Sequence, residues 1–376
     1  MNNIAITKTK AIYTDKPQLK GKNFPQNVNV VESFLQGTES GYKYTCELMY
    51  DQLFTPEDTT YLNELASKEG KNGVIIASGT SEWGGAGVHL PHIEPEYTLK
   101  TPFFTLINIL SGKVANKLGW HDYMTTDATA CISGYKAFHE AELILNAGIV
   151  DRVLIVGIDD QINPMVLELF GMLDASISPA REEKGDLPSA FDDENYGFRL
   201  GHGVGYVVLE SKKSLQKTNN KPIAYLEKTV LRGEKLSNPF GQDPTGGGYS
   251  RVMKEVLEET KLSTADITFI KTHGTGSKSN NSAEGNGIRS IFGEDFIATS
   301  YKSEIGHTLG SNAIVELDIA LKDATRGIIR GIKNRTKEDH QFLSYDKEMK
   351  VDRILMLGSG MGNVYGSSII TMNHES

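Results

Sequence analysis

The sequence predicts an α/β protein made of two parts with similar grammar, and three observations carry that reading. Short apolar, β-branched runs alternate with longer amphipathic segments along the 376 residues, the pattern of buried strands joined by helices. The junctions are rich in glycine, which permits tight turns. The alternation pauses at a polar, unpatterned stretch, residues 216–221, followed by Pro222. That pause divides the chain into 1–220 and 221–376.

The elements follow in order. Residues 4–12 read as a strand and 17–27 as loop. Thr55-Pro56-Glu57 combines a capping hydroxyl, a proline at the first helical position and an acid in the first turn, so a helix is expected to about residue 68. Residues 73–78 form a strand followed by a loose glycine-rich segment, 79–87. Residues 101–118 read as a helix with Phe104, Ile107, Leu110 and Val114 on one side. Small β-compatible residues lead to Cys131, and Tyr135, Phe138, Ala141 and Leu145 then recur at helical spacing up to a capping Gly148. Residues 152–158 are a buried strand, 164–173 a helix, 178–187 a polar loop and 206–210 a strand. In the second part, strands are expected at 223–231, 267–271, 353–357 and 367–371, with helices at 249–260, 282–292 and 309–324.

Composition bounds the function. Charged residues at 23% and hydrophobic ones at 39% suit a globular enzyme. A net charge of -9 argues against a general nucleic-acid binder. With two cysteines, Cys46 and Cys131, no disulfide framework is implied and a reducing compartment is expected. The first ten residues lack the apolar core of a signal peptide, and no apolar run is long enough to span a bilayer. A cytoplasmic protein without a membrane span is expected.

Cys131 sits where a strand turns into a helix. Unpaired N–H groups and the helix dipole at that place favour a thiolate and can stabilise an oxyanion, although a free cysteine is often just a small core residue. His273 follows a strand and opens His-Gly-Thr-Gly-Ser277, whose small residues leave its ring accessible. His307 stands between Gly306 and a helix start. Such junctions gather catalytic groups in α/β enzymes, while a lone histidine is more often structural. Lys302 and Glu316 could form a buried ion pair. Gly358-Ser-Gly-Met-Gly362 has neither the lysine of a phosphate loop nor dinucleotide spacing and reads as a tight turn at a substrate. His89-Leu-Pro-His92 reads as loop.

Together these segments resemble the β-ketoacyl-acyl-carrier-protein synthases, the condensing enzymes of the thiolase fold. Thr126-Asp-Ala-Thr-Ala-Cys131 resembles the nucleophile motif. Lys271-Thr-His273-Gly-Thr-Gly with Glu284 resembles the first histidine motif. Lys302-Ser-Glu-Ile-Gly-His307-Thr-Leu-Gly, ending in Ala313-Ile-Val-Glu316, resembles the lysine and second-histidine motif. Phe191-Asp192, Gly197-Phe198 and Gly201-His-Gly-Val-Gly205 resemble the glycine-rich strand entry. The match runs in order from about residue 73 to the C-terminus. Departures are Asn195 for a common arginine, His202 for an acid, Asn281 for an aspartate, and Met361 for the phenylalanine of the acyl gate.

The resemblance implies a layered αβαβα sandwich of two pseudo-duplicated halves, the first carrying Cys131 and the second both histidines. It implies that Cys131 takes an acyl group, that the N–H groups of Cys131 and Met361 form the oxyanion hole, and that His273 and His307 stabilise the enolate of a decarboxylating malonyl thioester. Lys302 with Glu316 would orient this side of the site, and Thr275, Ser277 and Phe198 would contact substrate. No metal or organic cofactor is implied beyond the phosphopantetheine arm of acyl carrier protein. The expected partners are that carrier and a second ketosynthase subunit, in a homodimer or a heterodimer with a paralogue. A Cys-His-His set resembles elongating synthases, whereas initiating ones use Cys-His-Asn and thiolases a second cysteine near the C-terminus. The alternative is a chain-length-determining or non-catalytic partner subunit in a ketosynthase heterodimer.

Overall fold

A computed structural model describes residues 4–16, 29–31, 33–34, 45–79, 106, 108–159, 162, 164–172, 175–177, 181 and 183–374. The first half contains β1 (Ile4–Tyr13), α1 (Thr45–Leu53), α2 (Pro56–Ser67), β2 (Asn72–Ala77), α3 (Ile109–Leu118), β3 (Tyr123–Asp127), α4 (Ser133–Asn146), β4 (Arg152–Ile158), α5 (Pro164–Met172), β5 (Gly203–Glu210) and α6 (Lys212–Thr218). The second contains β6 (Ala224–Gly233), α7 (Gly247–Thr260), β7 (Phe269–Lys271), α8 (Lys278–Phe292), β8 (Ala298–Thr299), α9 (Lys302–Ile305), α10 (Asn312–Thr325), β9 (Ile328–Ile329), β10 (Lys347–Glu348), β11 (Arg353–Gly360) and β12 (Val364–Met372).

Ten strands form one sheet in the order β3-β2-β4-β5-β1-β6-β12-β11-β7-β8. From its centre outward each half repeats one scheme. β1 pairs antiparallel with β5 and β5 with β4, after which β4, β2 and β3 run parallel. β6 pairs antiparallel with β12 and β12 with β11, after which β11, β7 and β8 run parallel. The halves join through the short antiparallel pairing of Ile4–Ile6 with Ala224–Leu226.

Strand alternation sorts the side chains into layers. Ile75, Ile155, Val207, Ile354, Met356 and Ile370, drawn from both halves, share one core with α4 and α10. The alternate residues face outward: Val74, Leu154 and Val208 pack with α1, α2 and α3, while Leu355, Leu357 and Ile369 pack with α7 and α8. Helices therefore cover both outer faces and fill the space between the sheet halves, which is the layered αβαβα arrangement. Nearly all of α10 is buried, and its acids are paired: Asp318 accepts from Thr9 Oγ1 at 2.8 Å and Asp323 receives two bonds from Arg330. That satisfies the rule that buried charge needs partners.

Several expectations shift. The cap at Thr55 accepts from Asp58 N–H at 3.3 Å and starts α2 as read. The helix expected over 101–118 is described only from Ile109; residues 101–105 lie outside the described residues, as do 17–27, 80–87 and His89 to His92. The stretch 216–221 is not all linker, because Ser211 caps α6, which continues to Thr218 and ends at Asn219 with φ 57°. The helix at 309–324 begins as a 3-10 turn, Leu309–Ser311, before α10.

Candidate active site

The local chain explains where Cys131 sits. After β3 the backbone enters a 3-10 turn, Ala130–Ile132, with Ala130 at φ 50°, a strained setting for a residue with a Cβ. Side chains hold the turn in place. Ser133 Oγ donates to Ala130 O at 2.7 Å and accepts from Thr129 N–H at 2.9 Å. Asn312 Nδ2, at the start of α10, donates to Cys131 O at 2.9 Å. The sulfur is thus fixed at the head of α4.

His307 approaches from the second half. Its N–H donates to Arg199 O at 2.7 Å and its O accepts from Gly201 N–H at 3.1 Å, tying it to the entry of β5. Leu309 N–H donates to His307 Nδ1 at 3.3 Å. Nδ1 is therefore an acceptor, and the proton of the neutral ring sits on Nε2. Nε2 lies 3.2 Å from Cys131 Sγ. Phe198 packs edge-on against the ring at 5.1 Å, and His273 lies at 5.8 Å, nearly perpendicular.

Both histidines are buried, at 4% and 2% exposure, which corrects the expectation that His273 has an accessible ring. Burial, helped by the charge of Lys302, holds both imidazoles well below their ordinary pKa, so they are neutral donors rather than cations. Glu284 fixes the backbone beneath His273, accepting from His273 N–H at 2.5 Å and Gly274 N–H at 2.8 Å.

The expected thiolate is also corrected. Burial pushes the Cys131 thiol up to about 12; Lys302 pulls it down and Asp159 pushes it further up. Loss of water outweighs the helix terminus, so the resting sulfur carries its proton at neutral pH.

Behind the histidines, Glu316 lies between two cations. Lys302 Nζ donates to Oε1 and Lys271 Nζ to Oε2, each at 2.5 Å, and Lys271 also reaches Leu357 O at 3.1 Å. Burial pushes Glu316 up, but the two lysines overcome it and hold the carboxyl below its ordinary value. Burial lowers Lys302, with Glu316 opposing.

Cys131, His273 and His307 line one cavity of about 300 Å³, together with Phe198, Thr275, Ser277 and Met361. Profiles of the β-ketoacyl synthase family match most of the chain: the N-terminal domain over residues 41–214 and the C-terminal domain over 225–334. The chain belongs to the β-ketoacyl synthase family.

Among its relatives is the ketoacyl synthase alpha subunit of the tetracenomycin polyketide synthase from Streptomyces glaucescens. It is 26% identical over 275 residues, covering 70% of this chain and 63% of that protein. A polyketide β-ketoacyl synthase from Streptomyces virginiae is 25% identical, covering 71% and 64%. The chain thus spans a little under two thirds of these relatives. A solved β-ketoacyl synthase from Burkholderia phymatum superposes over 100% of both chains with a TM-score of 0.82 at 17% identity. The ishigamide ketosynthase/chain length factor superposes over 99% of both with 0.80 at 19%. These likenesses show the fold.

Every expected site residue lies at the cavity or directly behind it. The family departures are absorbed locally. Asn281 Oδ1 accepts from Phe191 N–H at 3.1 Å while its Nδ2 donates to Gly276 O at 3.3 Å. His202 is buried against Phe34, with both ring nitrogens unpaired among the described residues, and burial lowers its pKa to about 3, so it is uncharged. Sequence reasoning placed Lys271 in the first histidine motif but gave it no part in the site, because a strand-borne lysine ordinarily faces solvent. It also missed Gln242, Asn280 and Ser359, which line the same cavity.

Proposed function

We propose that this chain is an elongating β-ketoacyl synthase that joins an acyl group held on Cys131 to a malonyl unit by decarboxylative Claisen condensation. The observation that carries this is the Cys131 Sγ to His307 Nε2 distance of 3.2 Å, with the His273 ring beside them in one cavity.

In the first step Cys131 attacks a carrier thioester. The new S–C bond replaces the old one, and the thiol proton passes to the departing carrier sulfur. The turn that brings Gly360 and Met361 to residues 131–132 is close: a Cβ on Gly360 would lie 3.1 Å from Ile132 N. The N–H groups of Cys131 and Met361 serve there as the oxyanion donors. In the second step a malonyl thioester loses carbon dioxide, and the electrons of the breaking C–C bond form an enolate. Its oxygen is held by N–H donors of the neutral histidines. The enolate carbon attacks the acyl carbonyl, and Cys131 sulfur leaves as a thiolate that takes a proton from solvent. Lys302 on Glu316 keeps positive charge near the developing anion, and Thr275 and Ser277 hold the pantetheine arm.

The relatives favour a polyketide pathway over primary fatty acid synthesis. One solved structure of this fold holds a type II polyketide synthase acyl-carrier protein in complex with its ketosynthase, and another a ketosynthase in complex with its chain length factor. A carrier protein and a second ketosynthase subunit are accordingly this chain's proposed partners, in the cytoplasm. The alternative role, a non-catalytic chain-length partner, is disfavoured by the intact Cys-His-His arrangement. The test incubates the purified chain, alone and with candidate partner subunits, with acyl-carriers and malonyl-carrier, and identifies products by mass. Wild-type protein becomes acylated and releases a β-ketoacyl product, and Cys131→Ala stays unacylated. Acylation of the Cys131→Ala protein would sink the nucleophile assignment.

A further inference from the structure

The wall behind the histidines carries one more lysine than the Lys302–Glu316 pair needs. Lys271, Lys302, Glu284 and Glu316 are all at most 1% exposed. Glu316, on α10, gives Oε1 to Lys302 and Oε2 to Lys271. Glu284, on α8, accepts from His273 N–H, Gly274 N–H and Asn280 Nδ2. Burial pushes Glu284 up, while these donors and Lys271 pull it back down. With Lys302 as the sole cation, the wall would hold two carboxylates against one ammonium. That excess would be negative, directly behind the rings beside which an enolate has to form. Lys271 removes it.

Stability alone is a poor reason for this lysine, because an apolar side chain in place of a buried ion-pair member, with its partner neutralised, often serves a fold as well. Yet its place is closely specified. Lys271 leaves β7 two residues before His273, and its Nζ reaches Glu316 on α10 and Leu357 O on β11, the latter at 3.1 Å. The same nitrogen lies 5.7 Å from the centre of the Tyr135 ring on α4. Its charge also reaches the reacting groups. Lys302 and Lys271 together hold both imidazoles down, whereas the charges that act on the Cys131 thiol are those of Lys302 and Asp159. We propose that Lys271 is a positioning residue for the condensation step: it occupies one oxygen of Glu316, so that the charge of Lys302 is not cancelled and acts on the anion formed beside His273 and His307. The proposal rests on the ketosynthase reading and adds to it a balance of charge in a water-excluded wall, where an uncompensated carboxylate would oppose the enolate.

Single-turnover assays on the whole chain read the two steps apart. The protein is loaded from acetyl- or octanoyl-carrier protein, acylation of Cys131 is followed by mass, and malonyl-carrier protein is then added to the preloaded protein. In Lys271→Met, loading stays within about twofold of wild type while condensation slows about tenfold. Glu316 keeps Lys302 as its partner in that variant, and normal loading shows that the fold is intact. Lys271→Met combined with Glu316→Gln removes one charge of each sign and restores the wild-type balance, so condensation recovers most of its rate. A lysine that only held the structure together would give no such recovery, since the double variant lacks both ion pairs. Lys271→Arg keeps the charge, stays within about threefold of wild type, and decides the matter if the double variant does not load. The proposal is overturned by unimpaired condensation in Lys271→Met, by equal losses of loading and condensation, or by a double variant that loads yet condenses no faster than Lys271→Met. Where the double variant does not load, an arginine variant as slow as the methionine one overturns it too. Failure of the ketosynthase reading looks different: wild-type protein then takes no acyl group from either carrier, and the role of Lys271 in condensation falls with it.

Discussion

The two halves of this molecule use one device twice, and the middle position of the turn separates the open copy from the packed one. A 3-10 turn opens with a non-glycine residue of positive φ, Ala130 at 50° and Leu309 at 53°. A helix of 14 residues follows in each case, α4 and α10. Each helix then ends before a glycine of positive φ, Gly148 at 67° and Gly327 at 69°. The second residue of the turn is Cys131 in one half and Gly310 in the other. Cys131 faces the cavity. Gly310 donates its N–H to Asp159 Oδ2 at 2.8 Å, and a Cβ there would fall 2.2 Å from Gly79 N. One copy of the turn is open and carries a sulfur; its counterpart is packed shut. Duplication supplies the positions, and the chemistry depends on which copy stays open.

The largest test of that division of labour is His307→Ala. His307 comes from the packed half and touches the sulfur of the open one. Condensation should fall by about 3 kcal/mol of transition-state stabilisation, roughly two orders of magnitude, while acylation of Cys131 falls much less. Single-turnover measurements of loading and of product release separate the two steps. Equal losses would contradict the enolate role.

The next test lies where the two helices meet. Gly134 and Ala313 are the second residues of α4 and α10, and a Cβ on Gly134 would sit 2.7 Å from both Ala313 Cβ and Ile314 Cδ1. Gly134→Ala should destabilise the fold by about 1–3 kcal/mol through overpacking. Adding Ala313→Gly in the same chain should recover part of it, because the swap removes the Ala313 Cβ from the contact and leaves that with Ile314 Cδ1. Denaturant midpoints of the two variants decide the matter, and no recovery would mean that the helices do not cross at equivalent residues.

Much of this was legible from residues alone, for a physical reason. Strands such as β4 are unbroken apolar runs, and α4 shows its apolar face at helical spacing, so their signals are local. Cys131, His273 and His307 stand at glycine-flanked junctions, where local chemistry also shows. The illegible features depend on contacts between distant residues. The thiol's protonation follows from burial, which the helix-terminus argument does not see. Asp159 reveals its part only by accepting from Gly79 and Gly310 at once. The hydrogen bonds that join Gln242, Tyr249, Asn280 and Ser359 link residues far apart in the chain, and Lys271 gains its partner Glu316 only when β7 meets α10.

Asp159 gives the comparison an electrostatic edge, because the carboxylate that closes one turn also acts on the thiol in the other. It raises the Cys131 pKa and Lys302 lowers it. Asp159→Asn removes a negative charge, so the thiolate becomes easier to form and alkylation sets in at lower pH. Lys302→Met removes a positive charge and moves the onset to higher pH. Each effect should be about 1 kcal/mol, read from iodoacetamide rates against pH. Shifts of the same sign would mean that packing, not charge, governs the sulfur.

The finest test concerns the helix ends, where the halves should respond alike. Among the described residues, a Cβ on Gly148 meets nothing within 4 Å, and one on Gly327 meets only Met349 O at 3.7 Å. Neither Gly148→Ala nor Gly327→Ala therefore creates a clash, and each should cost about 1 kcal/mol, the strain of a left-handed backbone bearing a Cβ. Thermal midpoints of the two variants should agree closely. A much larger loss at Gly327 would show that the packed half has come to depend on its helix end in a way that the open half has not.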